Sequence, residues 1–276
     1  MATASARGID INYEISGSGP RLLFFNGSGG SIETAALIVA HLARHFEVLI
    51  HDQRGLGMTT IPTEPATMAD YAADAAALLD HVGWEACSVF GISFGGMVAQ
   101  EYAVTWPARV ERLVLVCTSP GGAGGSSYPL HRLAELAPDE RSAISRLNLD
   151  TRFTDEWLAE HRNDKAMADF SAERAMAPRT EEQVRGERLQ LEARRHHDVW
   201  DRLDRITCTT LIQAGAFDGT APPANSAAIA SRIAGSVLRY YLGGHAFLFQ
   251  DSRALADVVA FLTDQALSDP SGDPIR

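Results

Sequence analysis

The chain reads as an α/β protein, a mostly parallel sheet flanked by helices with a helical segment inserted late in the fold, and three observations carry that reading. Short, nearly continuous apolar runs recur along the chain, as strands do when both of their faces are buried. Helical stretches separate those runs. The alternation then stops for about eighty residues and resumes.

Taken in order, Ile9 to Ile15 alternates apolar and polar residues with period two and runs into Gly17 to Pro20, the pattern of an antiparallel strand ending in a turn. The buried strands follow as Leu22–Phe25, Val48–Ile50, Cys87–Phe90, Leu113–Cys117 and Leu211–Ile212, with Val237–Leu242 strand-like. Between and after them, helices are predicted at Ile32–Ala43, Met68–His81, Phe94–Thr105, Ala224–Ile233 and Ala254–Leu267. Gly121-Gly-Ala-Gly-Gly-Ser-Ser127 opens a polar, helix-prone stretch with no convincing strand up to Arg205. This divides the chain into a core of residues 1–120 and 206–267, an inserted helical lid at 121–205, and a tail, 268–276, expected to be disordered.

Composition narrows the partners. The 276 residues are 46% hydrophobic and 21% charged, enough apolar matter for one substantial core. Against 24 basic residues stand 35 acidic ones, and Lys165 is the single lysine. A net charge of -11 repels phosphate backbones and anionic lipid, so neither nucleic acid nor a membrane surface is an expected partner. The lid holds 14 of the basic and 17 of the acidic residues, so most of the negative charge belongs to the core. Cys87, Cys117 and Cys208 are far apart, without a CxxC pair or a neighbouring histidine cluster, and no HExxH run occurs. They read as buried apolar thiols in a reducing compartment, with no metal and no cofactor expected. With no apolar run long enough for a signal sequence or membrane span, a cytoplasmic location is the expectation.

The strongest chemical signal is Gly91-Ile92-Ser93-Phe94-Gly95, set between a buried strand and a helix. A serine at the tip of so tight a turn projects its hydroxyl clear of the sheet, and side chains two positions either way would collide, which suits glycine there. A serine needs a base and an orienting acid to become a nucleophile at neutral pH. His245, in Gly243-Gly244-His245, and Asp218, in Phe217-Asp218-Gly219, each follow a strand, at the sheet edge where ligand sites form. Taken alone, either is an ordinary turn residue. The chain order Ser93, Asp218, His245 is the acyl-transfer order of one class of serine hydrolases. Such a site also needs N–H donors for the developing oxyanion. Phe94, next to the serine, is one candidate, and Ser28 or Gly27 in the loop Phe25-Asn26-Gly27-Ser28-Gly29-Gly30 is the second.

With these residues in place, the sequence resembles the α/β-hydrolase family from about Gly8 to Leu267. Asp52-Gln-Arg-Gly-Leu-Gly57 is similar to its DxRGxGxS loop, Gly91 to Gln100 to its nucleophile elbow and following helix, and Asp218 with Pro222-Pro223 to its acid loop. The resemblance implies a helical cap over the body, an active site between them, and cofactor-independent cleavage of a carboxylic ester or lactone of a small molecule, in the serine esterase and enol-lactonase-like branch. The chain departs from the pattern with Asn26-Gly27 where His-Gly is common, and with Thr59 where a serine is usual. Ser93 at the elbow argues against the haloalkane dehalogenases and epoxide hydrolases, which use a carboxylate. Carbon–carbon hydrolases and cofactor-free haloperoxidases or perhydrolases share the triad, although Ser28 stands where the latter tend to carry an aromatic residue. A non-enzymatic small-ligand receptor on the same fold is the alternative of a different class.

Overall fold

The computed structural model describes residues 1–275, leaving Arg276 outside the described residues. Its strands are β1 (Ala2–Ala6), β2 (Ile9–Gly17), β3 (Arg21–Phe25), β4 (Glu47–His51), β5 (Cys87–Ile92), β6 (Val110–Val116), β7 (Thr209–Gly215) and β8 (Val237–Tyr241). They form one sheet in the order β1-β2-β4-β3-β5-β6-β7-β8. The β1–β2 and β2–β4 pairs are antiparallel and every other pair is parallel. The helices are α1 (Ala36–Leu42), α2 (Met68–His81), α3 (Phe94–Thr105), α4 (Pro138–Leu149), α5 (Asp155–Glu160), α6 (Arg162–Met176), α7 (Glu181–Arg195), α8 (Pro223–Arg232), α9 (Phe247–Gln250) and α10 (Ser252–Leu262).

The continuous apolar runs are strands because both faces of the sheet are covered. Leu23, Leu49, Val89, Leu113 and Leu115 pack on one side with α2 and α3, while Leu22, Phe24, Val48, Ile50, Phe90 and Val114 pack on the other with α1 and α10. Alternate residues of one strand therefore feed two different cores. Helix α2 starts at Thr67, whose hydroxyl accepts from Asp70 N–H while the Asp70 carboxylate accepts from Thr67 N–H, a reciprocal cap.

Several boundaries differ from the sequence reading. Strand β1 is absent from it, because Ala2-Thr-Ala-Ser-Ala6 lacks an apolar alternation; the strand exists through pairing with β2 across Arg7 and Gly8, both at positive φ. The first helix is shorter than Ile32–Ala43, with a 3-10 turn over Glu33–Ala35. The last helix begins at Ser252, capped by Asp251, and ends at Leu262, since Asp264 takes a left-handed conformation at φ 60. The tail expected to be disordered is tied down as far as Asp273. Its carboxylate accepts two bonds from Arg239 at 2.9 Å, and Ser268 N–H donates to Asp257 at 2.7 Å.

One buried ion pair joins the body at the end of β4 to α2. Asp74 accepts from Arg54 Nε and Nη2, both at 2.6 Å, and from Arg7 Nε at 3.2 Å. The Asp74 side chain is 3% exposed and that of Arg54 10%. Asp74→Ala is expected to cost about 3–5 kcal/mol, because it strands a buried guanidinium. Urea unfolding measures the loss, and a cost below ~1 kcal/mol would show that water solvates Arg54 instead.

Candidate active site

Strand β5 ends in the elbow. Ser93 sits at φ 55, ψ -115, a conformation that L-residues rarely adopt. The turn is tight enough that a Cβ on Gly95 would run into the Phe25 carbonyl and one on Gly91 into the Gly95 carbonyl. Glycine is thus required on both sides of the serine for want of space. The backbone is held by Ser93 N–H donating to Val116 O at 2.8 Å, and by Ser93 O accepting from Met97 N–H and from the Thr118 hydroxyl.

The structure brings the three sequence-predicted residues together from three strand ends. His245 Nε2 lies 2.9 Å from Ser93 Oγ, and His245 Nδ1 lies 2.8 Å from Asp218 Oδ2. The other Asp218 oxygen accepts from the Thr220 and Ala221 N–H groups at 2.8 and 2.7 Å, which fixes the carboxylate plane. Burial pulls the His245 pKa down, but the Asp218 charge, with Cys117 acting in the same direction, outweighs it and holds the group well above 6.5. An imidazole bridging a hydroxyl and a carboxylate in this way can take the hydroxyl proton and have its positive form stabilised.

Around the serine, three N–H groups of the Asn26–Gly30 loop are already engaged. Gly27 N–H donates to Asn26 Oδ1 at 2.8 Å, Gly29 N–H to Gln190 Oε1 at 2.8 Å, and Gly30 N–H to Gly27 O at 3.1 Å. The Ser28 N–H donates to nothing among the described residues, so of the two loop candidates the structure leaves Ser28 free and occupies Gly27. Phe94, first residue of α3, has an N–H without an intrahelical acceptor. Asn26 anchors the loop where a histidine is common in the family: its Nδ2 donates to Ser31 O at 3.0 Å, and its carbonyl accepts from Gln53 Nε2 at 2.8 Å.

Behind the loop, Asp52 accepts from Asn12 Nδ2, Ile32 N–H and Met58 N–H at 2.7, 2.8 and 2.9 Å. Thr59 supplies the hydroxyl expected of a serine, donating to Asp52 O at 2.6 Å and accepting from Asn12 N–H at 2.9 Å. The motif at residues 52–59 therefore braces the loop of residues 26–32.

Three contributors escape the sequence reading. Cys117, read as an ordinary buried thiol, is buried, but its sulfur lies within 4.8 Å of ligand atoms of both Asp218 and His245. Leu149 O accepts from His245 N–H at 2.6 Å, so the end of α4 holds the histidine loop. Gln190, fully buried, reaches the Gly29 N–H from α7. Helix α7 comes this close because Gly186, one turn earlier, lies against Gly55, where a Cβ would run into the Gly55 carbonyl. No local pattern announces these contacts, since each joins residues from β6 onwards to loops laid down elsewhere in the chain.

The comparison with known proteins agrees with this architecture. Residues 20–252 match the family model described as the alpha/beta hydrolase fold. The chain belongs to that family. It is 27% identical over 238 residues, 86% of this chain and 82% of the relative, to a poly(3-hydroxyalkanoate) depolymerase of Ectopseudomonas oleovorans. It is 26% identical over 249 residues to the 3-oxoadipate enol-lactonase 2 of Acinetobacter baylyi, covering 88% of this chain and 89% of that protein. Among solved structures, a hydrolase from Pseudomonas aeruginosa PA01 superposes with a TM-score of 0.77 at 27% identity, over 95% of this chain and 97% of that one. Among the described residues, no helix is long and apolar enough to cross a membrane.

Proposed function

We propose that the chain is a cofactor-independent serine hydrolase of a small-molecule carboxylic ester or lactone. The observation that carries this reading is the continuous hydrogen-bonded path Ser93–His245–Asp218, at 2.9 and 2.8 Å. Ser93 Oγ attacks the carbonyl carbon as its proton passes to His245 Nε2. The Phe94 and Ser28 N–H groups hold the oxyanion. Collapse of the tetrahedral adduct breaks the bond to the leaving alkoxide, which takes the proton from His245, and an acyl-Ser93 remains. Water then gives its proton to the same nitrogen, attacks the acyl carbon and releases the acid, returning Ser93 Oγ its proton.

Asp218 keeps the Nδ1 proton in place throughout and stabilises the imidazolium. Residues 121–205 act as a cap in this reading: α7 reaches the oxyanion loop through Gln190, and the end of α4 reaches the histidine loop through Leu149. The name of one relative, a 3-oxoadipate enol-lactonase, supports lactone chemistry.

A panel of short-chain aryl esters and lactones, combined with a fluorophosphonate probe, tests the reading. Turnover is expected together with stoichiometric modification of the Ser93 peptide, seen by mass spectrometry. Saturable ester binding with no turnover and no label on Ser93 would favour a receptor.

A further inference from the structure

Arg194, on the last turn of α7, is 6% exposed and has no carboxylate partner among the described residues. Its Nη1 donates to Tyr128 O at 2.8 Å and its Nη2 to Ser127 Oγ at 2.6 Å, while its buried Nε finds no acceptor. Other buried arginines of this chain are treated differently: Arg54 faces Asp74, and Arg239 faces Asp257 and Asp273. Burial without a counter-ion lowers the Arg194 pKa to about 10, which still leaves a full positive charge at neutral pH. A buried, unneutralised guanidinium is costly and is normally paired.

A cavity of about 90 Å3 is lined by Arg194 together with Met97, Ser119, Ser127, Arg195 and His197 among others, Arg195 being an exposed side chain that lies 3.8 Å from Glu192. On the same measure, one water needs ~10–15 Å3. Two of its lining residues, Met97 and Ser119, belong to the segments that hold the Ser93 elbow. Met97 is one turn into α3, its N–H bonded to Ser93 O, and Ser119 lies two residues beyond Cys117. Gln190, one turn before Arg194 on the same face of α7, touches the oxyanion loop and has its own buried Nε2 without an acceptor. No Asp or Glu lines the cavity, and the nearest on α7, Glu192, is engaged with His196 at 3.0 Å and Arg195 at 3.8 Å.

We infer that this cavity is a carboxylate subsite: it takes the anionic end of an acidic ester or lactone whose carbonyl sits at Ser93, with Arg194 supplying the charge. The inference rests on the hydrolase reading for its substrate and on the unpaired guanidinium for its anion. It makes the chain an acid-selective hydrolase, in spite of a net charge of -11 that repels anions at long range.

Two esters that differ only in that charge test it, 4-nitrophenyl hydrogen glutarate and its methyl ester, read by nitrophenolate release, with glutarate binding measured separately by calorimetry. The acidic ester is expected to show a KM about 10-fold lower than the neutral one, the size of one charge-assisted contact. Arg194→Met removes that preference and the glutarate binding but leaves turnover of the neutral ester within about twofold, a split that loss of packing alone does not produce. Arg194→Lys keeps the charge and part of the preference. Equal KM values in the wild type, or glutarate binding that survives Arg194→Met, overturns the subsite. Phosphate binding that depends on Arg194 without glutarate binding overturns it too, in favour of a free-anion site. If neither ester turns over while glutarate binds through Arg194, the hydrolase reading fails and the anion pocket is supported. Should Arg194→Met fail to fold, the wild-type ester pair and glutarate binding decide alone.

Discussion

Ser93→Ala is expected to lower ester turnover by about 10^4 to 10^6-fold, because members of a nucleophile–base–acid unit act together and removal of the nucleophile abolishes the covalent route altogether. Steady-state release of nitrophenolate measures it. The protein should remain folded, since the Ser93 side chain makes one hydrogen bond, to His245, while the backbone bonds to Val116 and from Met97 and Thr118 persist. The elbow keeps its strain in the variant, as alanine is no more at ease than serine at φ 55, ψ -115. Ser93→Gly relieves that strain and is expected to raise the melting temperature above both, by the order of a degree or more, while being equally inactive. An inactive but more stable glycine variant would show that the strain is kept to present the hydroxyl. A Ser93→Ala enzyme with undiminished turnover would remove the serine from the reaction.

The two halves of the site were unequally legible in the sequence, and the reason is geometric. Ser93, Asp218 and His245 each sit at the end of a strand, so a short apolar run followed by a glycine-rich turn points to them locally. Gly91 and Gly95 are likewise local, because both collisions they avoid arise inside the elbow or against β3. The proposed oxyanion donors are half legible. Residue types cannot tell Gly27 from Ser28, because the distinction is which N–H is already consumed, and Asn26 consumes the one on Gly27 with its own side chain. The inserted helices were visible as a break in strand alternation, but not their docking. That depends on the close approach of Gly186 to Gly55 and on the bond from His245 N–H to Leu149 O, between segments far apart in sequence. Arg194 shows the limit most plainly. Among 14 basic residues in the 121–205 segment, sequence gives each an acidic neighbour, and only packing shows that this one pairs with no carboxylate among the described residues.

Asp218→Asn tests the remaining half of the mechanism, and its expected effect is nearly as large as that of losing the nucleophile. The carboxylate accepts from His245 Nδ1–H with one oxygen and from the Thr220 and Ala221 N–H groups with the other. An asparagine oxygen facing those two backbone donors leaves its amide NH2 toward Nδ1, which must then accept. The ring proton moves to Nε2, where it points at Ser93 and cannot receive the hydroxyl proton. A loss in kcat of about 10^4 follows from the wrong tautomer with the site otherwise intact. The pH profile carries the second signature. Burial pulls the His245 pKa down and the Asp218 charge raises it well above 6.5, so wild-type turnover should climb as pH rises through that elevated value. With the charge gone, burial acts without its main opponent, and the acid limb of the residual activity moves to lower pH. The sign for stability is fixed by the same shift. A histidine with a raised folded pKa contributes stability that is full below its unfolded value and fades as pH rises through the folded one. Asp218→Asn should therefore cost most in acid, and its melting curve should approach the wild type at high pH. An acid limb that stays where it was after the substitution would mean that Asp218 does not set the charge state of His245.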